Sequence, residues 1–296
     1  MKIGIDWGGT KIEAIAIDSD SGEELNRIRV DSPKDNYEKI ISKVVELVNE
    51  ISKGASQFTV GIGMPGSLHP LTGLVQVSNT KVLEGNDVKT DLQNKLGIDI
   101  KIANDADCLA LSEAIDGAGK DYRSVFAVIL GTGVGAGYVI EEKLIVGPNK
   151  LTGEWGQNPI PGPMDDYEKS VKRHCGRIGA IEVFLSGPGL ENWYEFSTSI
   201  KKTSREVVEL FRKNDSETIT LMDKYFERTA RAFSTFVNIL DPDIIVLGGG
   251  MSDIDELYKE VPKKIIPYLA SDIFLTPITK AMHGSSSGVR GAAHLW

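Results

Sequence analysis

The pattern strand, glycine-threonine turn, strand occurs twice in this chain. Ile3 and Ile5 lead into Asp6-Trp7-Gly8-Gly9-Thr10, after which Ile12 to Ile17 is apolar again. Val125 to Leu130 leads into Gly131-Thr132-Gly133-Val134-Gly135-Ala136-Gly137, and Tyr138-Val139-Ile140 resumes the strand. Glycine permits backbone angles that other residues strain, so each cluster predicts a tight turn at a strand end. A pattern carried once in each half points to two related halves facing each other. Two unrelated hairpins would leave the same trace.

The segments between these turns alternate helix and strand. Ile40, Ile41, Val44, Val45, Leu47, Val48 and Ile51 predict a helix over 37–52. A short strand over 58–62 ends at Met64-Pro65-Gly66, and Ile98, Ile100 and Ile102 form a half-buried strand running into Ala103-Asn104-Asp105. A helix follows over about 106–115, with Asn104 or Asp105 as its cap. Residues 159–166 read as loop. Met222, Tyr225, Phe226, Thr229, Phe233, Phe236, Val237 and Leu240 predict a long helix that stops at Asp241-Pro242. Ile244 to Leu247 is a buried strand closed by Gly248-Gly249-Gly250, and Val289, Ala292, Ala293 and Trp296 mark a short docking helix. The fold class is α/β. Ligands in such folds sit at the carboxyl ends of strands, where every glycine cluster lies, so the expected site is a cleft between two halves.

The net charge of -9 excludes non-specific binding to nucleic acid or an anionic membrane surface. Cys108 and Cys175 are the only cysteines and lie far apart, which fits a reducing compartment. Asp6 breaks any leader-type apolar run, and no apolar run approaches about 20 residues. The expectation is a cytoplasmic protein with no membrane and no nucleic-acid partner.

Three glycine clusters could each take part of a nucleotide: Gly8, Gly9, Thr10 and Lys11; Gly131, Thr132 and Gly133; and Gly248, Gly249 and Gly250. The first two would offer backbone N–H groups and hydroxyls to phosphates, and the third a flat surface to adenine or ribose. Each cluster also reads as a plain turn. Gly61-Ile62-Gly63-Met64-Pro65-Gly66 matches Gly-x-Gly-x-x-Gly, but a turn follows it rather than the helix a dinucleotide site requires. Asp6, at a strand end, is a candidate Mg²⁺ ligand, directly or through water; a turn-forming Asp is the alternative. Asp105 is a candidate base for an attacking hydroxyl, with Asn104 holding a neighbouring hydroxyl. Helix capping explains the same pair. Glu154, Gln157, Asn158 and Glu182 are candidate sugar contacts, with Trp155 as an apolar platform. A loop around a packed Trp, and a first-turn acid at Glu182, are the bland counterparts. Gly66 and Asn79 complete the candidate substrate contacts.

Gly4-Ile5-Asp6-Trp7-Gly8-Gly9-Thr10-Lys11 resembles the first phosphate motif of ROK-family sugar kinases. So do Ala103-Asn104-Asp105-Ala106, Gly131-Thr132-Gly133-Val134-Gly135, Gly153-Glu154-Trp155-Gly156 and Leu247-Gly248-Gly249-Gly250, in order, through to Ser286-Ser287-Gly288-Val289-Arg290-Gly291-Ala292-Ala293. Ala110-Leu111-Ser112-Glu113-Ala114 and the C-terminal segment look closest to bacterial fructokinases with mannokinase activity. The resemblance implies an actin-like ATPase-domain fold, a duplicated ribonuclease H-like design of two domains around a cleft. The expected domains are residues 1–113 with 285–296, and 114–284. It implies ATP and Mg²⁺, and a hexose phosphorylated at a hydroxyl, first fructose at its 6-OH, also mannose or glucose. It implies Asp105 as the base, Asn104, Glu154 and Glu182 as sugar ligands, phosphate contacts from Gly8 to Lys11 and from Gly131 to Gly133, and a homodimer.

One departure stands out. Family members carry Cys-x-Cys-Gly-x-x-Gly-Cys-x-Glu plus a His, which bind a structural zinc. This chain has Arg173-His174-Cys175-Gly176-Arg177-Ile178-Gly179-Ala180-Ile181-Glu182, with Gln157 at the His position. Tetrahedral zinc needs four donors, so the expectation is no zinc, with Ile178 and Ala180 replacing its bracing. Gln157 stands where a sugar-touching His is usual and could shift sugar preference. The alternatives are a sugar-binding regulatory protein or a pseudokinase of the same family. Repressors of the family carry a DNA-binding helix-turn-helix before the first phosphate strand, and here that strand begins at Ile3. Retention of Asp6, Asp105 and both phosphate turns argues against a pseudokinase.

Overall fold

A computed structural model describes residues 1–8, 10–33, 36–76, 80–173 and 176–296. The strands and helices, in chain order, are β1 (Lys2–Trp7), β2 (Lys11–Ile17), β3 (Glu24–Asp31), α1 (Tyr37–Ile51), β4 (Thr59–Met64), β5 (Ser67–Leu68), β6 (Val75–Gln76), α2 (Val88–Leu96), β7 (Ile100–Asn104) and α3 (Asp105–Ile115). They continue with β8 (Ser124–Leu130), β9 (Val134–Ile140), β10 (Lys143–Leu144), α4 (Asp166–Ser170), α5 (Glu182–Leu185), α6 (Gly187–Thr198), α7 (Ser204–Arg212) and α8 (Ser216–Leu240). The last are β11 (Ile244–Gly248), α9 (Leu257–Lys264), β12 (Ile278–Lys280) and α10 (Ser287–Ala293).

The repeat is real at the level of strand order. One sheet runs β3-β2-β1-β4-β7 and the other β10-β9-β8-β11-β12. In each, a strand and its hairpin successor are followed outward by two parallel strands: β4 and β7 in the first, β11 and β12 in the second. The chain divides into two compact units, residues 1–124, 137–152 and 281–296, and residues 125–136 and 153–280.

In the first unit, β2 alternates its side chains across the sheet, as pleating demands. Ile12, Ala14 and Ala16 join Ile3, Ile5, Trp7, Val60 and Ile62 under the buried stripe of α1, Ile40, Ile41, Val44, Leu47, Val48 and Ile51. Ile15 and Ile17 turn to the opposite face and pack on Val289 and Ala293 of α10. Glycines let α10 come close: a side chain at Gly4 would overlap the Val289 carbonyl, one at Gly61 the Ala292 carbonyl, and one at Gly291 the Cys108 carbonyl of α3.

The first unit includes the turn after α3 and the C-terminal segment, and Glu113 bonds to both. This carboxylate is fully buried and accepts from Ala118 N (2.9 Å), Met282 N (2.9 Å), His283 N (3.3 Å) and Ser287 Oγ (2.9 Å). It ties α3 and the turn after it to the C-terminal segment. Residues 137–152 join them because Gly137 lies against Ala106, Asp107 and Ala110 of α3.

The second unit is organised by α8, capped at its start by Asp215 and ended by Asp241 in a left-handed conformation (φ 43°). Phe236 stacks on Phe126 of β8 at 4.2 Å. The inward face of α8 also carries two arginines. Arg228 donates to Glu168 (2.8 Å) and Asp165 (3.1 Å), Arg231 also pairs with Glu168, and Glu168 is fully buried. The Arg228 guanidinium lies 4.3 Å from the centre of the Trp193 ring. Buried charge survives here because it is paired and hydrogen-bonded. This network fixes α4 and α6, between which α5 begins at Glu182. Among the described residues, no helix is long and apolar enough to cross a membrane.

Candidate functional site

Site residues of the first unit gather at the carboxyl ends of β1, β4 and β7. Asn104 closes β7 and caps α3: Oδ1 accepts from Ala106 N (2.8 Å) and Nδ2 donates to the carbonyl of Gly66 (3.1 Å). Gly66, in the turn after β4, has φ 94°, a region that disfavours side chains. The β4 and β5 strands flank that turn and no helix opens there, so the Gly-x-Gly-x-x-Gly match is a turn.

Asp105 is the first residue of α3. Its side chain is exposed to water yet surrounded by protein on several sides; this desolvation pushes its carboxyl up, opposed by a 2.9 Å bond from Ala106 N. Asp6, partly buried at the end of β1, is pushed up to about 6 by burial first, then by the negative charges of Asp105 and Glu13, against Arg29. Gly288 of α10 stands beside it, where a Cβ would lie 3.3 Å from the Asp6 carboxylate. A partly desolvated carboxylate with another acid near it is a hard-oxygen donor set short of positive charge, which fits Mg²⁺ held by one carboxylate and waters.

The first glycine turn is closed by Gly8 N donating to Lys11 O (2.9 Å). Thr10 is exposed, and Lys11 is paired with Asp31. Gly9 and Asn79 lie outside the described residues. The second turn repeats the device, with Gly131 N donating to Gly133 O (3.0 Å) and Thr132 exposed. It is shorter than the glycine pattern suggests, because β9 already begins at Val134. In the third cluster Gly248 is buried at the end of β11. Gly249 has φ 82° and leaves no room for a side chain against the Leu130 carbonyl. Gly250 is exposed, with open space around its Cβ position.

Polar groups of the second unit centre on Glu182, the first residue of α5. Its Oε2 accepts from Val134 N (3.1 Å) and its Oε1 from Arg173 Nε (2.9 Å). Arg173 Nη1 also donates to Gln157 Oε1. Glu154 and Gln157 bound one turn of 3-10 helix, which Gly156 packs against the start of β9. Glu154 and Asn158 are exposed.

Two expectations change. Trp155 is 6% exposed and meets Phe233 and Phe236 edge-on, at 5.8 and 5.3 Å, so it is core and not a platform for a sugar. Ile178 is 48% exposed and bridges to Lys172 through its backbone, so its side chain is no buried brace, whereas Ala180 is buried and bridges to Pro159. His174 and Cys175 lie outside the described residues. Arg173, which the sequence marks only as a lost cysteine, is the residue that joins Gln157 to Glu182. Its signal in the sequence is no more than a cation in the loop that precedes Glu182.

The chain is 35% identical over 302 residues to an N-acetyl-D-glucosamine kinase of Haemophilus influenzae, covering 100% of this chain and 99% of that one. A ROK hexokinase from Thermus thermophilus superposes with a TM-score of 0.88 at 25% identity, covering 99% and 97% of the two chains. A ROK family glucokinase from Streptomyces griseus, solved in complex with glucose and AMPPNP, gives 0.78 at 24% identity over 99% and 98%. The fold is the actin-like ATPase fold of these sugar kinases. Residues 2–296 match the ROK family, and with full-length similarity to its members the chain belongs to that family.

Proposed function

We propose that the protein transfers the γ-phosphoryl group of ATP to a hydroxyl of a hexose, with N-acetyl-D-glucosamine the first candidate and Asp105 the base. The observation that carries this reading is Asp105 itself: a water-accessible carboxylate with a raised pKa, on a helix start anchored by Asn104. A base is most effective when its pKa lies near the working pH.

Asp105 accepts the proton of the sugar hydroxyl as its oxygen bonds to the γ-phosphorus. The bond from that phosphorus to the bridging oxygen breaks, and ADP leaves. Asn104 orients a neighbouring hydroxyl, and Glu154, Gln157 and Glu182 hold the ring, with Gly66 and Asn79 as further contacts. The turns from Gly8 to Lys11 and from Gly131 to Gly133 take phosphate oxygens, through Thr10 and Thr132 above all, and Gly248 to Gly250 lie along the nucleoside. Asp6 would hold Mg²⁺, directly or through water, and the ion when bound neutralises charge on the phosphates.

Similarity to the Haemophilus influenzae enzyme favours N-acetyl-D-glucosamine over the fructose, mannose or glucose expected from the motifs. A coupled ADP-release assay with those four sugars tests the reading. The expected result is Mg²⁺-dependent turnover, highest kcat/KM for the N-acetylated sugar. No ADP release with any hexose would remove it in favour of a sugar-binding protein.

A further inference from the structure

We infer that Arg173 is a positioning residue that sets the polarity of the sugar contacts, making Gln157 the donor and Glu182 the acceptor that together read an acylamino substituent. The inference rests on the kinase reading above and narrows its substrate class.

A guanidinium carries five N–H donors and no acceptor. The atom of Gln157 that meets Arg173 must therefore be the amide oxygen, as found. With Oε1 turned to Arg173, the NH₂ group of Gln157 is left as the donor it can offer a ligand. Glu182 is fixed in the opposite sense. Both its oxygens accept, from Arg173 Nε at 2.9 Å and Val134 N at 3.1 Å, and the remaining lone pairs can only accept again. Gly133 permits this, since a Cβ there would lie 2.9 Å from Glu182 Oε2.

Arg173 is itself held. Its backbone N–H donates to the Arg177 carbonyl and its carbonyl accepts from Gly176 N, both at 2.8 Å. Its side chain is 16% exposed and that of Glu182 21%. A charge-assisted bond so shielded is stronger and better directed than one in open water. The Nε–H and Nη1–H bonds of a planar guanidinium point in different directions, so Glu182 and Gln157 are held apart. A substituent that spans them needs a donor and an acceptor on different atoms. An acetamido group has this form, with its N–H for Glu182 and its carbonyl for Gln157. A lone hydroxyl concentrates both functions on one oxygen.

The test measures KM for N-acetyl-D-glucosamine, glucose and ATP, with melting temperature, in Arg173→Met, Arg173→Lys and Gln157→Glu. Arg173→Met is expected to raise the KM for N-acetyl-D-glucosamine about tenfold to a hundredfold at unchanged KM for ATP. It should also lower the preference for that sugar over glucose about tenfold, with partial rescue in Arg173→Lys. Gln157→Glu keeps the oxygen facing Arg173 but loses the donor, and is expected to lower the same preference about tenfold. Unchanged sugar KM and preference in Arg173→Met, or equal losses for sugar and ATP with a lowered melting temperature, would overturn the inference. Retained preference in Gln157→Glu would do the same even where Arg173→Met does not fold. If the wild type turns over no hexose, the kinase reading fails separately. Calorimetric affinities for the two sugars then decide the role of Arg173 by the same comparison.

Discussion

Asn104 donates through Nδ2 to the carbonyl oxygen of Gly66 at 3.1 Å, and this bond carries the β4–β7 ladder one step past its end. The last register pair of those strands is Met64 with Asn104. The strand end is thereby locked to the turn, and Asp105 starts α3 from a fixed point. Asn104→Ala loses both the cap and the anchor, and is expected to cost about 1–2 kcal/mol in denaturant unfolding. Asn104→Asp keeps the cap and loses only the donor. It should recover most of the stability while keeping a raised sugar KM. Equal stability in the alanine variant and the wild type would show the anchor to be idle.

Asp105→Asn preserves shape and removes the proton acceptor. Phosphoryl transfer is expected to fall about a hundredfold to ten-thousandfold. The melting temperature should hold or rise, since a desolvated carboxylate is no longer present. Steady-state kinetics with differential scanning fluorimetry checks this, and full activity would take Asp105 out of the chemistry.

Asp6 makes stability depend on pH. Its carboxyl is pushed up to about 6, so the folded state holds a proton that the unfolded chain releases in the ordinary carboxylate range. Its contribution is complete below that range and is lost as pH rises through about 6. Asp6→Asn should therefore be more stable than wild type at pH 7.5, by about 1–2 kcal/mol, and the gap should narrow by pH 4.5 and close below the ordinary carboxylate range. Mg²⁺ should narrow the gap at pH 7.5 by stabilising the wild type alone. Melting curves at the two pH values, with and without the ion, decide it; a gap that widens on acidification would refute the assignment.

Glu113 is fully buried and accepts four hydrogen bonds. Glu113→Ala leaves those donors without a partner, at about 1–3 kcal/mol for each that water cannot reach. The expected outcome is a loss of at least about 3 kcal/mol, with amide exchange over 282–293 accelerated before the rest of the first unit. Uniform exchange would mean that the carboxylate does not hold the C-terminal segment.

What the sequence shows and hides follows from the range of the interactions involved. The sheets are legible because glycine turns bound apolar runs, and α1 because its stripe has helical period. Helix α6 is hidden, since it opens on Gly187-Pro188-Gly189, which reads as a break; Ser186 caps it and proline fits its first turn. Helix α7 buries only Val207 and Val208, and α9 contains Pro262. Arg228 and Arg231 sit on a face that periodicity marks as apolar, because their partners Asp165 and Glu168 come from another helix. At the site, Asn104 and Asp105 are legible as a strand end meeting a helix start. Trp155 misleads, since an aromatic in a glycine-rich loop looks available until its neighbours Phe233 and Phe236 are placed. The link from Arg173 to Gln157 and Glu182 leaves no periodic trace, because a loop path creates it.

Helix α10 carries an implication for synthesis. Gly4 and Gly61 have their close neighbours at Val289 and Ala292, made far later in the same chain. Everything between β4 and α10 must be made before one face of the first sheet has its cover. Until then the nascent polypeptide exposes Ile15 and Ile17, the surface on which a chaperone would be expected to act.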